Sequence, residues 1–179
     1  MFDKNEFNEI RDKLKEFDLN REETIQSSRE IISISKQIIY ASQREDFKSA
    51  EKLIKQIKPR ISSLKTSNFD TNINKVAFQE YVEAICFYEF LKSGKIPSYK
   101  KLNVEVDDYL MGLCDLTGEL GRKAIFDVIH KNYKKAKEIK ELVNEIYGEF
   151  LKLNLRNGEL RKKSDSIKWN LKKLEEVMY

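Results

Sequence analysis

The sequence predicts an all-α fold, an antiparallel bundle of about seven helices, and three observations carry that expectation. Charged residues make up 36% of the 179-residue chain, with only six glycines and two prolines, a composition suited to long surface-charged helices and poor in turn formers. Apolar residues recur at alternating three- and four-residue steps through most of the chain, which lays a stripe along one side of a helix. No stretch alternates apolar and polar residues for long enough to build a sheet, and no internal repeat or low-complexity tract is present. The length and a hydrophobic fraction of 40% suffice for one domain over residues 1–179 with its own core.

Phe7, Ile10, Leu14 and Phe17 form the first stripe, which "FDLN" weakly interrupts before Ile25, Ile32 and Ile39 continue it. One long helix or two are both compatible with that pattern. After "ASQRED", a second helix carries Phe47, Ala50, Ile54, Ile57, Ile61 and Leu64. Pro59 lacks an amide donor and crowds the preceding turn, so a kink or an early end is expected there. "KTSNFDTN" reads as a polar connector to a third helix from about Ile73 to Leu91, which Gly94 and Pro97 stop. Asn103 is the expected N-cap of a fourth helix, whose Glu105, Asp107 and Asp108 suit the positive end of the helix dipole. Its apolar stripe is Tyr109, Leu113, Leu116, Leu120 and Ala124. "KNYKKAKEIKELVNEIYGEFLKLNL" supports another helix beyond His130, and a last one follows the Asn157-Gly158 break. Counted this way, about five long helices are joined by one or two short turns.

Composition excludes several function classes. Cys86 and Cys114 lie on apolar segments without CxxC spacing, so buried thiols in a reducing compartment are expected rather than zinc ligands or a disulfide. His130 is the sole histidine, which removes any histidine-pair mechanism within one chain and leaves it the place of a helix-end residue. There is no GxGxxG or GxxxxGK[ST] loop for a nucleotide, and no motif places a base beside a serine. The amino terminus is charged from its third residue and no apolar run approaches ~18 residues, so neither a signal peptide nor a membrane partner is expected and the chain reads as cytoplasmic. Trp169 and Tyr179 are expected as core or subunit-interface anchors.

Acids inside the apolar helices are the strongest chemical signal. Asp115 and Glu119 stand one turn apart on the fourth helix, displaced from its leucine stripe, with Gly112 one turn earlier leaving room for something to approach. A solvated face with a Glu119–Arg122 ion pair would account for that pair alone, at ~0.3–0.5 kcal/mol. The third helix adds Glu80 and Glu83, flanked by Val76 and Phe87. Packed as neighbours, the two helices would set four carboxylates across one groove, where they repel unless some are protonated or a cation sits among them. Oxygen-only ligands favour Mg²⁺ or Mn²⁺, and such sites activate water for phosphodiester hydrolysis.

The segments "FQEYVEAICFYEFL" and "VDDYLMGLCDLTGELGRKAI" resemble the translin family, in particular its catalytic subunit, translin-associated factor X. "LKLNLRNGELRKKSDSIKWNLKKLEEVMY" is similar to translin itself. The likeness covers most of the chain from about residue 75 and is fainter in the amino-terminal third. It implies an all-α fold of roughly seven helices assembling into hollow, often octameric shells, with Mg²⁺-dependent endoribonuclease activity on single-stranded RNA. By motif match it implies Glu80, Glu83 and Asp115 as catalytic acids, with Glu119 a nearby fourth. The mixture of features suggests a homo-oligomer, and a long insertion of the family between the acid-bearing helices is absent.

A net charge of +4 does not by itself indicate a nucleic-acid partner, so the distribution must. Arg21, Arg29, Lys36 and Arg44 recur through the second half of the amino-terminal helical region, with Tyr40 among them. Phosphate contacts from such residues would be salt-sensitive, and stacking would favour single strands. An ordinary solvated face explains the same pattern, as it does for "HKNYKKAK" and "ELRKKSDSIKWNLKK". The expectation is a metal-dependent endoribonuclease acting on single-stranded RNA. Its rivals are a non-catalytic scaffold for single-stranded RNA or DNA, and a helical adaptor without a nucleic-acid role.

Overall fold

The structure, a computed structural model, describes residues 3–64 and 69–178. They form seven helices, α1 (Lys4–Gln43), α2 (Phe47–Ser63), α3 (Ile73–Ser93), α4 (Tyr99–Leu102), α5 (Val106–Ile129), α6 (Tyr133–Lys152) and α7 (Glu159–Val177). No strand occurs among the described residues. Part of the "KTSNFDTN" connector, and Tyr179, lie outside them.

The pair α3 and α5 is the spine of the bundle. α3 packs against α1, α2 and α5, while α5 packs against α3, α6 and α7. Consistent with that place, Tyr81 to Tyr88 are eight consecutive buried residues, so the middle of α3 is enclosed on every side. Cys86 and Cys114 are buried unpaired thiols on these two helices, and burial pushes both up to about 12.

α1 is one continuous helix through "FDLN", capped by Asp3, whose carboxylate accepts from the Asn5 amide at 2.9 Å. Its inward stripe is one position away from the expected one. Thr24, Ser28, Ile31, Ser35, Ile38 and Ser42 are buried, Ile39 is buried beside them, and Ile25 and Ile32 are only half-buried. Serines at seven-residue intervals supply small buried side chains along this face of α1, and the hydroxyls of Ser28, Ser35 and Ser42 have no hydrogen-bond partner among the described residues. Residues 3–19 are exposed, so the stripe of Phe7, Ile10, Leu14 and Phe17 lies outside the core; the ring of Phe17 meets that of Phe69, at 5.2 Å between centroids.

Two further boundaries depart from expectation, as does one aromatic residue. α2 runs through Pro59 to Ser63, because a lost amide bond in the last turns costs little once Ile54, Ile57 and Ile61 are packed. Asn103 does not cap α5: it closes the short α4 in the left-handed region, φ 54, which asparagine tolerates, and Glu105 stands at the N-cap instead. Trp169 is 62% exposed and therefore not a core anchor of this chain. His130 ends α5 as expected, its Nδ1 2.8 Å from the Phe126 carbonyl oxygen. Among the described residues no helix is long and apolar enough to cross a membrane.

Candidate active site

Gly112 determines how closely the acid-bearing helices approach. A β-carbon at this position would lie 2.7 Å from Cβ and Cγ1 of Val82 and 2.8 Å from the Gln79 carbonyl oxygen, so Val82 or the α3 backbone would have to shift. The room that the sequence assigns to Gly112 does exist, but it is filled by α3 itself and does not stay open as a groove. That contact sits one residue before Glu83 and three before Asp115, and it brings the two acid pairs to one seam.

Glu83 is 8% exposed, the one charged residue in the buried run of α3, and has no hydrogen-bond or ion-pair partner among the described residues. Its burial, followed by the negative charges of Asp115, Glu80 and Glu119, pushes its carboxyl up to about 8 against the opposing pull of Lys163. Burial also raises Glu80, with Asp115 and Glu119 adding to it and Lys36 and Lys163 opposing. Asp115 is raised by burial too, against the hydrogen bond and charge of Lys163. The structure thus brings together all four acids named from the sequence. Val76 beside them is 42% exposed, whereas Phe87 is fully buried.

Three of the four carboxylates have partners from elsewhere in the fold. Lys163 of α7 reaches Asp115 Oδ2 at 2.5 Å and Gln79 Oε1 at 3.5 Å. Lys36 of α1 stands 4.0 Å from Glu80 Oε1. The Gln43 amide donates to Glu119 Oε2 at 3.0 Å, and Arg122 lies 3.6 Å from the same oxygen, the expected i,i+3 pair. Among the described residues, no three Asp, Glu, His or Cys side chains converge where one ion would sit. In kind, the donors fit a hard divalent cation: four carboxylates, one of them buried and unpartnered, and no soft ligand.

Of these partners, Lys163 and Gln43 escaped the sequence reading. A signal for Lys163 existed, since it lies four residues before Ile167 and so continues the buried stripe of Ile167, Leu171 and Leu174 inside a run that otherwise reads as solvated.

The basic residues of α1 divide. Arg29 is exposed and has no partner among the described residues, while Lys36 and Arg44 line a groove of ≈ 500 Å³ with Ser33, Gln37 and Tyr40. Arg44 Nη1 donates to the Tyr40 hydroxyl at 3.0 Å and its guanidinium lies 5.5 Å from the ring centroid. Arg21 stands apart, held by Asp70 at 2.6 Å and Glu22 at 2.8 Å. Lys36 joins the two regions, lining the groove and facing Glu80.

A family model described as the Translin family matches residues 9–179. Human translin is 39% identical over 80 residues, 45% of this chain and 35% of that protein. The Translin-associated protein X homolog of Schizosaccharomyces pombe is 31% identical over 137 residues, 65% of this chain and 59% of that protein. The chain thus spans about a third of the length of the curated translin it matches. The crystal structure of apo-NeC3PO superposes with a TM-score of 0.89 at 30% identity, covering 99% of this chain and 97% of that one. The same fold occurs, with a TM-score of 0.76 at 24% identity, in the structure of AfC3PO in complex with duplex RNA, covering 97% and 94%. The chain belongs to the translin family.

Proposed function

We propose that this protein is a metal-dependent endoribonuclease that cuts single-stranded RNA within a homo-oligomeric shell in the cytoplasm. The observation that carries the reading is Glu83: a buried carboxyl without a partner, surrounded by three more acids at the seam of two core helices. Burying such a group destabilises a fold, and groups of this kind concentrate at functional sites. Glu80, Glu83 and Asp115 would hold Mg²⁺ or Mn²⁺, with Glu119 completing or tuning the set. A cation bound there supplies water activation at neutral pH and charge stabilisation at a phosphoryl oxygen.

The remaining roles fall to the chain's own residues. Arg29, Lys36 and Arg44 bind phosphates along α1, and Tyr40, 61% exposed, offers a face for an unpaired base. Lys36 brings the phosphate chain to the acid seam, because its ammonium already stands at Glu80. Enclosure of Glu83 keeps bulk water from its carboxyl and lets it hold a proton. The exposed stripe of Phe7, Ile10, Leu14 and Phe17 supports self-association, and the family resemblance suggests an octamer.

A second reading has its own support. Lys163, Lys36, Gln43 and Arg122 already engage three of the acids, which suits a non-catalytic scaffold for single-stranded RNA or DNA whose acids only make ion pairs. Incubating unstructured RNA with the protein in Mg²⁺, in EDTA, and with Glu80→Ala in Mg²⁺ separates the two. Cleavage is expected only for the unaltered protein in Mg²⁺, slowed at least ~100-fold in the other arms. Equal rates in all three would sink the enzyme reading. Retention of RNA that weakens with salt and with Arg29→Ala/Arg44→Ala would then leave the scaffold standing, and no retention would favour an adaptor.

A further inference from the structure

We propose that Lys163 is a resident counter-cation of the acid seam, competing with a divalent cation for Asp115 and leaving that carboxylate when the cation binds. The proposal rests on the metal-site reading above. Its basis is geometric. Lys163 comes from α7, a third helix beyond the two that carry the acids, and its Nζ lies 2.5 Å from Asp115 Oδ2. The oxygen it holds belongs to one of the carboxylates a cation would need. Gln79 Oε1 on α3 is a second, longer contact of the same ammonium, at 3.5 Å, so Lys163 lies between the two sides of the seam.

The ion pair is not what docks α7. Ile167, Leu171 and Leu174 are buried against the core, and Asn170 donates to Thr117 Oγ1 on α5 at 2.9 Å. The Lys163 side chain is 26% exposed, so it has a route out of the seam that a core lysine lacks. Lys36 flanks the other acid pair at 4.0 Å, too far for a strong bond. Lys163 is therefore the tightest positive partner of the four acids, and its charge both occupies a ligand oxygen and repels an incoming ion.

Competition and support predict opposite signs, and a titration without RNA tells them apart. Mn²⁺ binding, followed by electron paramagnetic resonance, is compared in the unaltered protein, Lys163→Gln, Lys163→Arg and Glu83→Gln. Lys163→Gln keeps a hydrogen-bonding side chain beside Asp115 while removing the charge, and is expected to bind Mn²⁺ about five- to tenfold tighter. Lys163→Arg keeps the charge and is expected to match the unaltered protein, whereas Glu83→Gln binds more weakly. Equal or weaker binding by Lys163→Gln, with Glu83→Gln still impaired, overturns the competition and makes Lys163 a support for Asp115, leaving the metal-site reading intact. No Mn²⁺ binding by any of the proteins overturns the metal-site reading, and this inference with it. Independent of any variant, ¹⁵N spectra of lysine ammonium groups in the unaltered protein should show the Lys163 signal leaving its hydrogen-bonded position on Mg²⁺ addition. An unmoved signal at saturating Mg²⁺ counts equally against the proposal.

Discussion

Helix α5 carries two charged pairs at the same four-residue spacing, Asp115 with Glu119 and Lys123 with Asp127, and the bundle treats them in opposite ways. Lys123 and Asp127 are each 1% exposed and close on one another at 2.6 Å. Lys123 also reaches Glu45 at 3.3 Å, which Lys135 holds at 2.8 Å, and its ammonium lies 5.2 Å from the Phe126 ring centroid. This pair has become part of the core, linking α5 to the α1–α2 turn and to α6. Two like charges cannot neutralise one another, so Asp115 draws Lys163 from α7, while Glu119 takes the neutral Gln43 amide from α1 beside its own neighbour Arg122. Burial alone therefore does not mark a site; what sets Asp115 apart from Asp127 is that its counter-charge is borrowed from another helix.

Breaking the closed pair should have the largest effect. Lys123→Met leaves Asp127 buried without its cation, and denaturant unfolding is expected to show a loss of roughly 3–5 kcal/mol, mostly recovered in Lys123→Met/Asp127→Leu. Removing the borrowed partner, Lys163, should cost ~1 kcal/mol or less, because that pair is partly solvated. Similar costs for the two lysines would erase the distinction. Next comes Gly112→Ala, whose added methyl must push Val82 and the α3 backbone away; a loss of about 1–3 kcal/mol is expected, with Mn²⁺ affinity falling as the seam widens.

The remaining effect is a matter of pH. Glu83 holds its proton up to about 8 in the fold but releases it in the ordinary glutamate range when unfolded. Between those limits the native state binds more protons, so without metal, stability falls as pH rises, and the full penalty is reached above about 8. Glu83→Gln has no such proton to lose. Its melting temperature should match that of the unaltered protein near pH 5 and exceed it by roughly 7–14 °C at pH 8. Parallel curves across that range would mean that Glu83 feels neither its burial nor its acidic neighbours.

Much of the fold was legible because its helices are long and amphipathic. α2, α3, α6 and α7 fall where the three-and-four spacing puts them, and the acid pairs stood out as charges interrupting apolar runs. What stayed hidden depended on contacts between elements. The inward stripe of α1 is part serine, so counting apolar residues finds its shoulder, Ile25 and Ile32, rather than its centre. A glycine gives no sign of what fills its missing side chain, and Gly112 reads equally as space for a ligand or for a neighbouring helix. Lys163 is separated from Asp115 by 48 positions, and only the packing of α7 on α5 reveals that they meet. Lys123 and Asp127 were legible in principle, as opposite charges one turn apart amid "AIFDVI", but a charged pair at that spacing usually signals a wet surface.

The uneven packing of α1 has a consequence for cooperativity. From Thr24 onward the helix is fastened by its buried stripe, while residues 3–19 are exposed along their whole length. A segment of that length is only marginally helical without tertiary support. One geometric rod is thus two thermodynamic units: a half that melts with the bundle, and an arm that frays and reforms on its own long before the bundle opens. A partner surface that covered Phe7, Ile10, Leu14 and Phe17 would fasten the arm, so the helicity of α1 would then rise with protein concentration, making self-association and the completion of the helix a single linked equilibrium.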